Sequence, residues 1–578
     1  MKTSIFKKNF KCRLGDTCDT PDPPLFQGDP LSPIIFLIIF NPIIERLQQE
    51  IKFGYTLQDK SFITTPFADD FNIISTNRRS HQRIINIINN CCKSMGLKLK
   101  PSKCRSLSVV SGCSTDVPFF IDKDEIATLA KEPHKFLGAR ITFSGKQSDI
   151  LNFVSEFFTS RLDRIDSLLI RGEFKLKMYQ DYLLPSSRFI LTVHTLSPTS
   201  LDRIDAITRK YLKKWLKLPP SATAAVLHSP SFTSIKTVRH LYQESQACAY
   251  ISSRIKADSN VNTALDSRLD REKNWSRKKS TIVENDNIMR RLKNKEDLEK
   301  AKKETKVIIA NEVKENWLTK VKSLTLQGQF LEILESSKSD LNWKSLMHNL
   351  PRNILQFFLN SAINTLPTNS NLVRWNKRNS PACNICKSKE TLLHTLNNCA
   401  TMLIQNRYTW RHNSVLNKIF QTLKSHLPDS DNIFCDLPGY KQGISTIPAD
   451  IFVTTLKPDI VIVNNIQKTV TIIELTIPFD TNIESANKRK RDKYEQLISD
   501  IEDEGHSVRF FALEVSSRGY LSPDNMKRLK EIMKLIDYSN KNLNSLKLSL
   551  QKIVLVCSYC IFNSKYDPEW IEPNLVFF

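Results

Sequence analysis

The spacing of apolar residues changes character repeatedly along this chain. Residues 1–26, where KCRLGDTCDTPDPPLF is crowded with Pro and Asp, follow neither a helical nor a strand period and are expected to be irregular. Over 33–48 apolar side chains stand on all sides of the first half, which predicts a buried helix. FITTPFADDFNII then gives two short β-type runs around Ala-Asp-Asp, a hairpin with the acids at its tip. A helix over 80–94 follows, closed by Gly96. Residues 150–255 keep a helical period. The stretch 271–322 is so basic and so poor in large apolar side chains that a long solvated helix or linker is expected. Helical spacing returns over 340–425 around a cluster of cysteines. After about residue 440 the pattern turns β-like: DIVIV, VTIIELTI and RFFALEV are predicted strands, with charged helices between and after them.

At 578 residues the chain exceeds a single compact core, so roughly two to four domains are expected. Its 84 basic and 60 acidic side chains leave a formal charge of +24. A surplus of that size favours a polyanionic partner, with phosphate backbone ahead of an anionic membrane surface; a generic basic protein is the bland alternative. The opening MKTSIFKKNF lacks the apolar core of a secretory signal, and the apolar stretch 34–40 is far shorter than the ~20 residues of a spanning helix. A soluble, intracellular protein is expected. In a reducing compartment clustered cysteines suggest metal, and scattered ones such as Cys91 and Cys92 suggest packing.

Three clusters carry candidate chemistry. Asp69 and Asp70 at a hairpin tip suit a Mg²⁺ site, because hard oxygen ligands must converge from rigid strands; a local turn role for Asp-Asp is the competing reading. Cys383, Cys386, His394 and Cys399 have the spacing C-x2-C-x7-H-x4-C, a closed tetrahedral set for one structural Zn²⁺ against a reading as packing cysteines. Asp459 opens one predicted strand and Glu474 stands on the next, with Lys490, Lys493 and Tyr494 on the helix beyond. Two such carboxylates can hold Mg²⁺ against a phosphate while a lysine orients water or offsets charge, although acids and lysines at these separations are common.

The succession QGDPLSPIIF, TPFADDFNIIS, MGLKLKPSKC and HKFLG resembles the reverse transcriptases of non-LTR retrotransposons. SAINTLPTNSNLVRWNKR with the CCHC cluster, and KPDIVIV, IIELTIPFD and ANKRKRDKY after it, resemble the linker, knuckle and restriction-like endonuclease of one subclass of those elements. The resemblance covers 27 to about 565. It implies an α+β multidomain fold: a partial right-hand palm over 27–145, a helical thumb over 146–255, a basic helical linker over 256–325, a helical linker with the zinc knuckle over 326–430, and a PD-(D/E)xK nuclease over 440–578. It places Asp69 and Asp70 as catalytic acids, Gln27 and Gly28 near template and nucleotide, Lys103 near the triphosphate, and Phe136, Leu137 and Gly138 at the primer-holding turn. Arg374, Trp375, Lys377 and Arg378 would form a stacking and charged surface for nucleic acid, with a buried Trp375 the competing view.

By the same resemblance Asp459 and Glu474 would be metal ligands, Lys490 or Lys493 the catalytic lysine and Tyr494 a support; Glu474 stands where the family commonly has Asp. Asp480 would serve either as an auxiliary acid or only at the surface. The stretch 549–562 would be the family's closing strand and helix. A second polymerase carboxylate is absent from a strand ahead of QGDP, since Asp16, Asp19 and Asp22 lie in a Pro-rich run. The chain alone is therefore expected not to polymerise DNA. The implied partners are a DNA target, a template RNA and deoxynucleoside triphosphates, in the nucleus, with Mg²⁺ at two sites and no membrane. A non-catalytic nucleic-acid-binding relic is the alternative, and a repair-type nuclease that has lost its polymerase a third.

Overall fold

The computed structural model describes residues 31–57, 59–67, 70–130, 133–255, 295–337, 341, 343–440 and 445–574. Residues 1–26, Gln27, Gly28, Asp69 and most of the basic linker lie outside them. The chain divides into two compact units, one of Met1–Arg164, Asp181–Thr208 and Val238–Asn311, the other of Ile165–Gln180, Arg209–Thr237 and Glu312–Phe578.

In the first unit the helix Ser32–Gln49 buries Phe40, Ile43 and Leu47, a stripe at three- to four-residue spacing, in one core with Phe71 and with Ile84, Ile85, Ile88 and Cys92. The expected burial of its first half is corrected: Ile34, Leu37 and Ile38 are exposed, because only one face of the helix meets this core. The helix Arg78–Ser94 starts where Asn77 Oδ1 accepts the Ser80 amide at 2.9 Å, and Gly96 follows its end at φ +68°. Strands here are short antiparallel pairs: Thr64–Phe67 with Asp70–Ile73, where Phe67 faces Asp70, and His134–Phe136 with Ala139–Ile141. Among the described residues the ten strands of this unit form five two-stranded ladders. Leu137 and Gly138 both take positive φ, 46° and 84°, as a two-residue type I′ turn demands. A Cβ on Gly138 would sit 2.7 Å from Phe189 Cε1, so the ring closes over the turn. Farther along, the helix Leu184–Val193 packs on Val238–Ile255, and the buried Gln246 donates to the carbonyls of Leu191 and Thr192. Asp205 caps the latter helix by accepting the Val238 amide at 2.7 Å.

The charged stretch is helical over Lys295–Lys322, as the helix reading expects, but it is not solvated on every side. Ala301, Thr305 and Ile309 form a buried stripe at four-residue spacing, and Trp317 and Val321 are buried near its end. Four apolar side chains at the right spacing outweigh the charge on the remaining faces.

In the second unit a four-stranded sheet runs in the order Asp431–Cys435, Ile460–Asn464, Thr469–Thr476, Ser507–Glu514. The first three strands are antiparallel, and the last is parallel to its neighbour through the crossover helix Ile483–Asp503. Period two sorts the apolar run 460–463 onto both faces. Ile460 and Ile462 join Ile473 and Leu475 under the helices Arg407–Lys424, Pro523–Lys534 and Asn540–Asn563. Val461 and Val463 join Val470 and Ile472 beneath Tyr494, Leu497 and Ile501 of the crossover helix. Covered on both sides, such strands need no polar alternation. The closing stretch 549–562 is one helix, not a strand and a helix. Its β-branched residues yield to burial, since Leu550, Val554, Leu555, Val556 and Ile561 are all enclosed. That helix is long and apolar enough to cross a membrane, yet it is the unit's core helix.

Candidate active site and metal centre

The four expected zinc ligands converge: the ligand atoms of Cys383, Cys386, His394 and Cys399 all lie within 4.8 Å of one another. The first pair is shaped by a tight turn in which the Lys387 amide donates to Cys383 O at 3.0 Å and the Cys383 amide to Ser388 O at 2.7 Å, with Lys387 at φ 65°. Cys386 Sγ lies 3.2 Å from His394 Nε2. Metal–sulfur bonds of about 2.3 Å and a metal–nitrogen bond of about 2.0 Å fit inside such a set. Burial and the neighbouring thiols push the Cys399 thiol up to about 12 in the metal-free state; burial also opposes the Cys386 thiolate, but the Ser388 amide and neighbouring side chains bring that thiol below its ordinary value. A cation is what would make all three thiolates compatible with the site.

The helix Arg407–Lys424 joins this cluster to the sheet. Tyr408 Oη accepts the Cys399 amide at 3.1 Å and donates to Thr395 O at 3.0 Å, and Arg411 donates to Leu396 O at 2.9 Å. Burial lowers the basicity of Arg407 and Arg411, the latter to about 10. One residue further, His412 Nε2 reaches Asp459 Oδ2 at 3.3 Å and Leu475 O at 3.1 Å, while Nδ1 meets Asn413 Oδ1 at 3.1 Å.

Asp459 precedes the strand Ile460–Asn464 and sits across from Glu474. Its own amide donates to Glu474 Oε2 at 3.2 Å, and its Oδ2 accepts the Leu475 amide at 2.7 Å. Lys490 from the crossover helix pairs with the other Glu474 oxygen. Burial, then the Asp459 charge, raises the Glu474 carboxyl above its ordinary value, with Lys490 opposing. Lys493 instead donates to Tyr494 Oη at 3.1 Å, and that hydroxyl donates to Lys457 O at 3.2 Å. Of the two candidate lysines, Lys490 therefore stands at the carboxylates. Asp459 Oδ1 takes no hydrogen bond among the described residues, and Asp459 lines a cavity of about 550 Å³ with Asn397, His412, Arg489 and Lys490. A free carboxylate oxygen facing a polar cavity, beside a second carboxylate, suits a hard divalent cation.

His412 escaped the sequence reading. It precedes Asp459 by 47 residues on a different element, and nothing local distinguishes it. Burial opposes a charge on its ring, yet the Asp459 carboxylate and the three hydrogen bonds push the imidazole up to about 9. A pKa raised above its unfolded value of about 6.5 contributes stability that is complete below pH 6.5 and lost as pH rises through 9. In urea unfolding without added Mg²⁺, the stability advantage of the parent chain over His412→Gln is expected to shrink by up to about 3 kcal/mol between pH 6 and pH 9.5. A pH-independent difference would contradict the charged ring.

Asp480 corrects both roles considered for it. It is buried and paired with Arg518, whose Nη1 also donates to Ser361 O at 2.8 Å, so it serves the core and is neither a surface group nor a free acid. Arg374 and Lys377 are exposed; Trp375 and Arg378 are half-buried, with Arg378 donating to Asn384 Oδ1 at 2.8 Å. In the first unit Asp70 begins its strand with Oδ1 buried and without a hydrogen-bond partner among the described residues, and Lys103 ends the turn Pro101–Lys103 exposed.

Residues 24–141 match the family described as reverse transcriptase (RNA-dependent DNA polymerase). The chain is 25% identical over 386 residues to the retrovirus-related Pol polyprotein from type-1 retrotransposable element R2 of Nasonia vitripennis, covering 64% of this chain and 34% of that protein. It is 22% identical over 533 residues to the Pol polyprotein from type-2 retrotransposable element R2DM of Drosophila melanogaster, covering 87% of this chain and 45% of that one. A third likeness, to the R2 polyprotein of Bradysia coprophila, is 20% over 214 residues, 36% of this chain and 24% of the other. The chain spans less than half the length of each of these relatives. It thus carries a reverse transcriptase segment and, beyond it, is similar to polyproteins of R2 non-LTR retrotransposons.

Proposed function

We propose, from the reverse transcriptase segment shared with R2 polyproteins, that this chain acts in target-primed retrotransposition: its second unit nicks double-stranded DNA, and its first offers a polymerase segment for extending the exposed 3′ end along an RNA template with deoxynucleoside triphosphates. On this reading residues 27–145 form part of a palm, 146–255 a thumb, 383–399 a zinc knuckle and the four-stranded sheet a restriction-like nuclease. The single observation that carries the nuclease reading is the meeting of Asp459, Glu474 and Lys490 from three elements, with Asp459 and Lys490 lining one polar cavity and the buried Glu474 bonded to both.

Asp459 Oδ1 and Glu474 would hold the Mg²⁺, which when bound would offset negative charge on the scissile phosphate. Leu475 and His412 fix the other Asp459 oxygen, so that Oδ1 is aimed at the cavity. Lys490 is positioned to orient an attacking water or to balance charge as it develops. Arg489, exposed beside it, and the net charge of +24 favour a phosphate backbone in that cavity. Nuclear residence follows from a genomic target.

The reading is tested by incubating the purified chain with supercoiled plasmid and Mg²⁺, with and without RNA. Nicked circles that depend on the metal support it; tight DNA binding without nicking leaves only the non-catalytic binder, and cleavage indifferent to RNA in every setting favours a lone nuclease. Primer extension by this 578-residue polypeptide is expected to be nil, because Asp16, Asp19 and Asp22 stand in a Pro-rich run and none suits a further metal-binding carboxylate beside Asp69 and Asp70. Asp70-dependent DNA synthesis by the purified chain would overturn that expectation.

A further inference from the structure

Two of the largest fully enclosed side chains among the described residues are arginines, Arg407 and Arg411, at 0% and 1% exposure. A buried guanidinium is costly unless an anion compensates it, and among the described residues neither is paired with a carboxylate. Arg407 donates to Gln405 Oε1, Ser564 O and Oγ, and Asp567 O, and it lies 5.0 Å from the Trp570 ring. The exposed Asp567 carboxylate favours the Arg407 charge without pairing with it, since the contact is through the carbonyl, and burial outweighs that help. Arg411 donates to Ser558 Oγ and Leu396 O, and its Nε has no partner among the described residues. All these acceptors are neutral.

Each arginine is tied to the metal cluster in its own way: the Cys399 and Cys383 thiols favour the Arg407 charge, and Arg411 donates into the ligand loop. Leu396 lies in the loop between the ligands His394 and Cys399, and Tyr408, from the same turn of helix, holds the Cys399 amide. Cys383, Cys399 and Trp410 belong to one buried cluster, packed against Trp570. Zn²⁺ bound by three thiolates and a neutral imidazole carries a net charge of −1, and its formation releases three thiol protons to solvent.

We propose that Arg407 and Arg411 are the electrostatic counterparts of a zinc tris-thiolate anion, positioning residues that favour the loaded cluster and are left uncompensated without it. The inference rests on the zinc reading above. Loading would then stabilise the helix Arg407–Lys424 as well as the knuckle, and that helix also carries His412 to Asp459.

The test uses the full chain. Zinc content is measured by metal analysis, affinity by competition with a chromophoric chelator, and melting with and without zinc. Arg411→Gln is expected to weaken zinc binding about tenfold and Arg407→Gln Arg411→Gln further, while Arg411→Lys, which keeps the charge, stays within about threefold of the parent. The melting difference between loaded and metal-free protein should shrink in the glutamine variants, because their metal-free state no longer buries an unpaired cation. Unchanged zinc affinity, equal melting losses with and without zinc, or a lysine variant as weak as the glutamine one would each overturn the proposal. Should the glutamine variants fail to fold, the lysine variant still decides. A parent chain that binds no zinc would sink the zinc reading itself, an outcome distinct from normal zinc binding that ignores the arginines.

Discussion

Asp459→Ala is expected to abolish Mg²⁺-dependent nicking, lowering the rate by about 10³-fold or more, equivalent to about 4 kcal/mol of barrier. The size follows from the carboxylate's double duty. Its Oδ1 is the free oxygen facing the cavity, and its Oδ2 gathers the Leu475 amide and His412, so alanine removes a metal ligand and its supports together. Asp459→Asn separates the two effects. The amide oxygen can still accept from Leu475, preserving the strand end, but the charge that attracts the cation is gone, so nicking should be lost with little change in fold. Asp70→Ala is the matched control in the other unit and should nick as the parent does. Cleavage by Asp459→Ala at the parent's rate would remove the nuclease reading and leave a zinc-bearing polynucleotide binder.

The parts of this site that were legible in the sequence are those whose signal is local. Asp459 and Glu474 stand at neighbouring ends of a β-hairpin, so 14 intervening residues of strand, turn and strand are enough to bring them face to face. The cysteine spacing carries its own closure. His412 and Arg411 were not legible: each acts through the far side of its helix on a partner set by tertiary packing. The edge strand Asp431–Cys435 was missed because DNIFC is only partly apolar, and its pairing with 460–464 supplies what its composition lacks. Errors ran both ways. The apolar start of the first helix meets no core among the described residues, whereas the β-branched run before Cys557 is held helical by burial on several sides. Asp480 shows the same limit for chemistry, since only the fold reveals Arg518 against it.

Cys399→Ser, or stripping zinc with a chelator, is expected to have the largest effect on stability. Isolated zinc modules gain about 10–16 kcal/mol from the metal because nothing else folds them. Here neighbouring packing supplies part of that: Leu396 and Cys399 are fully buried, and Lys565 pairs with the buried Glu390 beside the ligand loop. A loss of several kcal/mol is therefore expected, not complete unfolding of the unit. The change should begin at the loop 383–399 and pass to the helix Arg407–Lys424 through Tyr408 and Arg411, so limited proteolysis should open 383–406 before the sheet. Nicking should fall with it, since His412 rides on that helix, although none of the four zinc ligands reaches the cavity. Cys91→Ser, outside the cluster, is the control and should change neither zinc content nor melting. A Cys399→Ser chain that keeps the parent's zinc content and melting temperature would show that this cluster does not hold the zinc, and the packing of four chance neighbours would then be the better account of it.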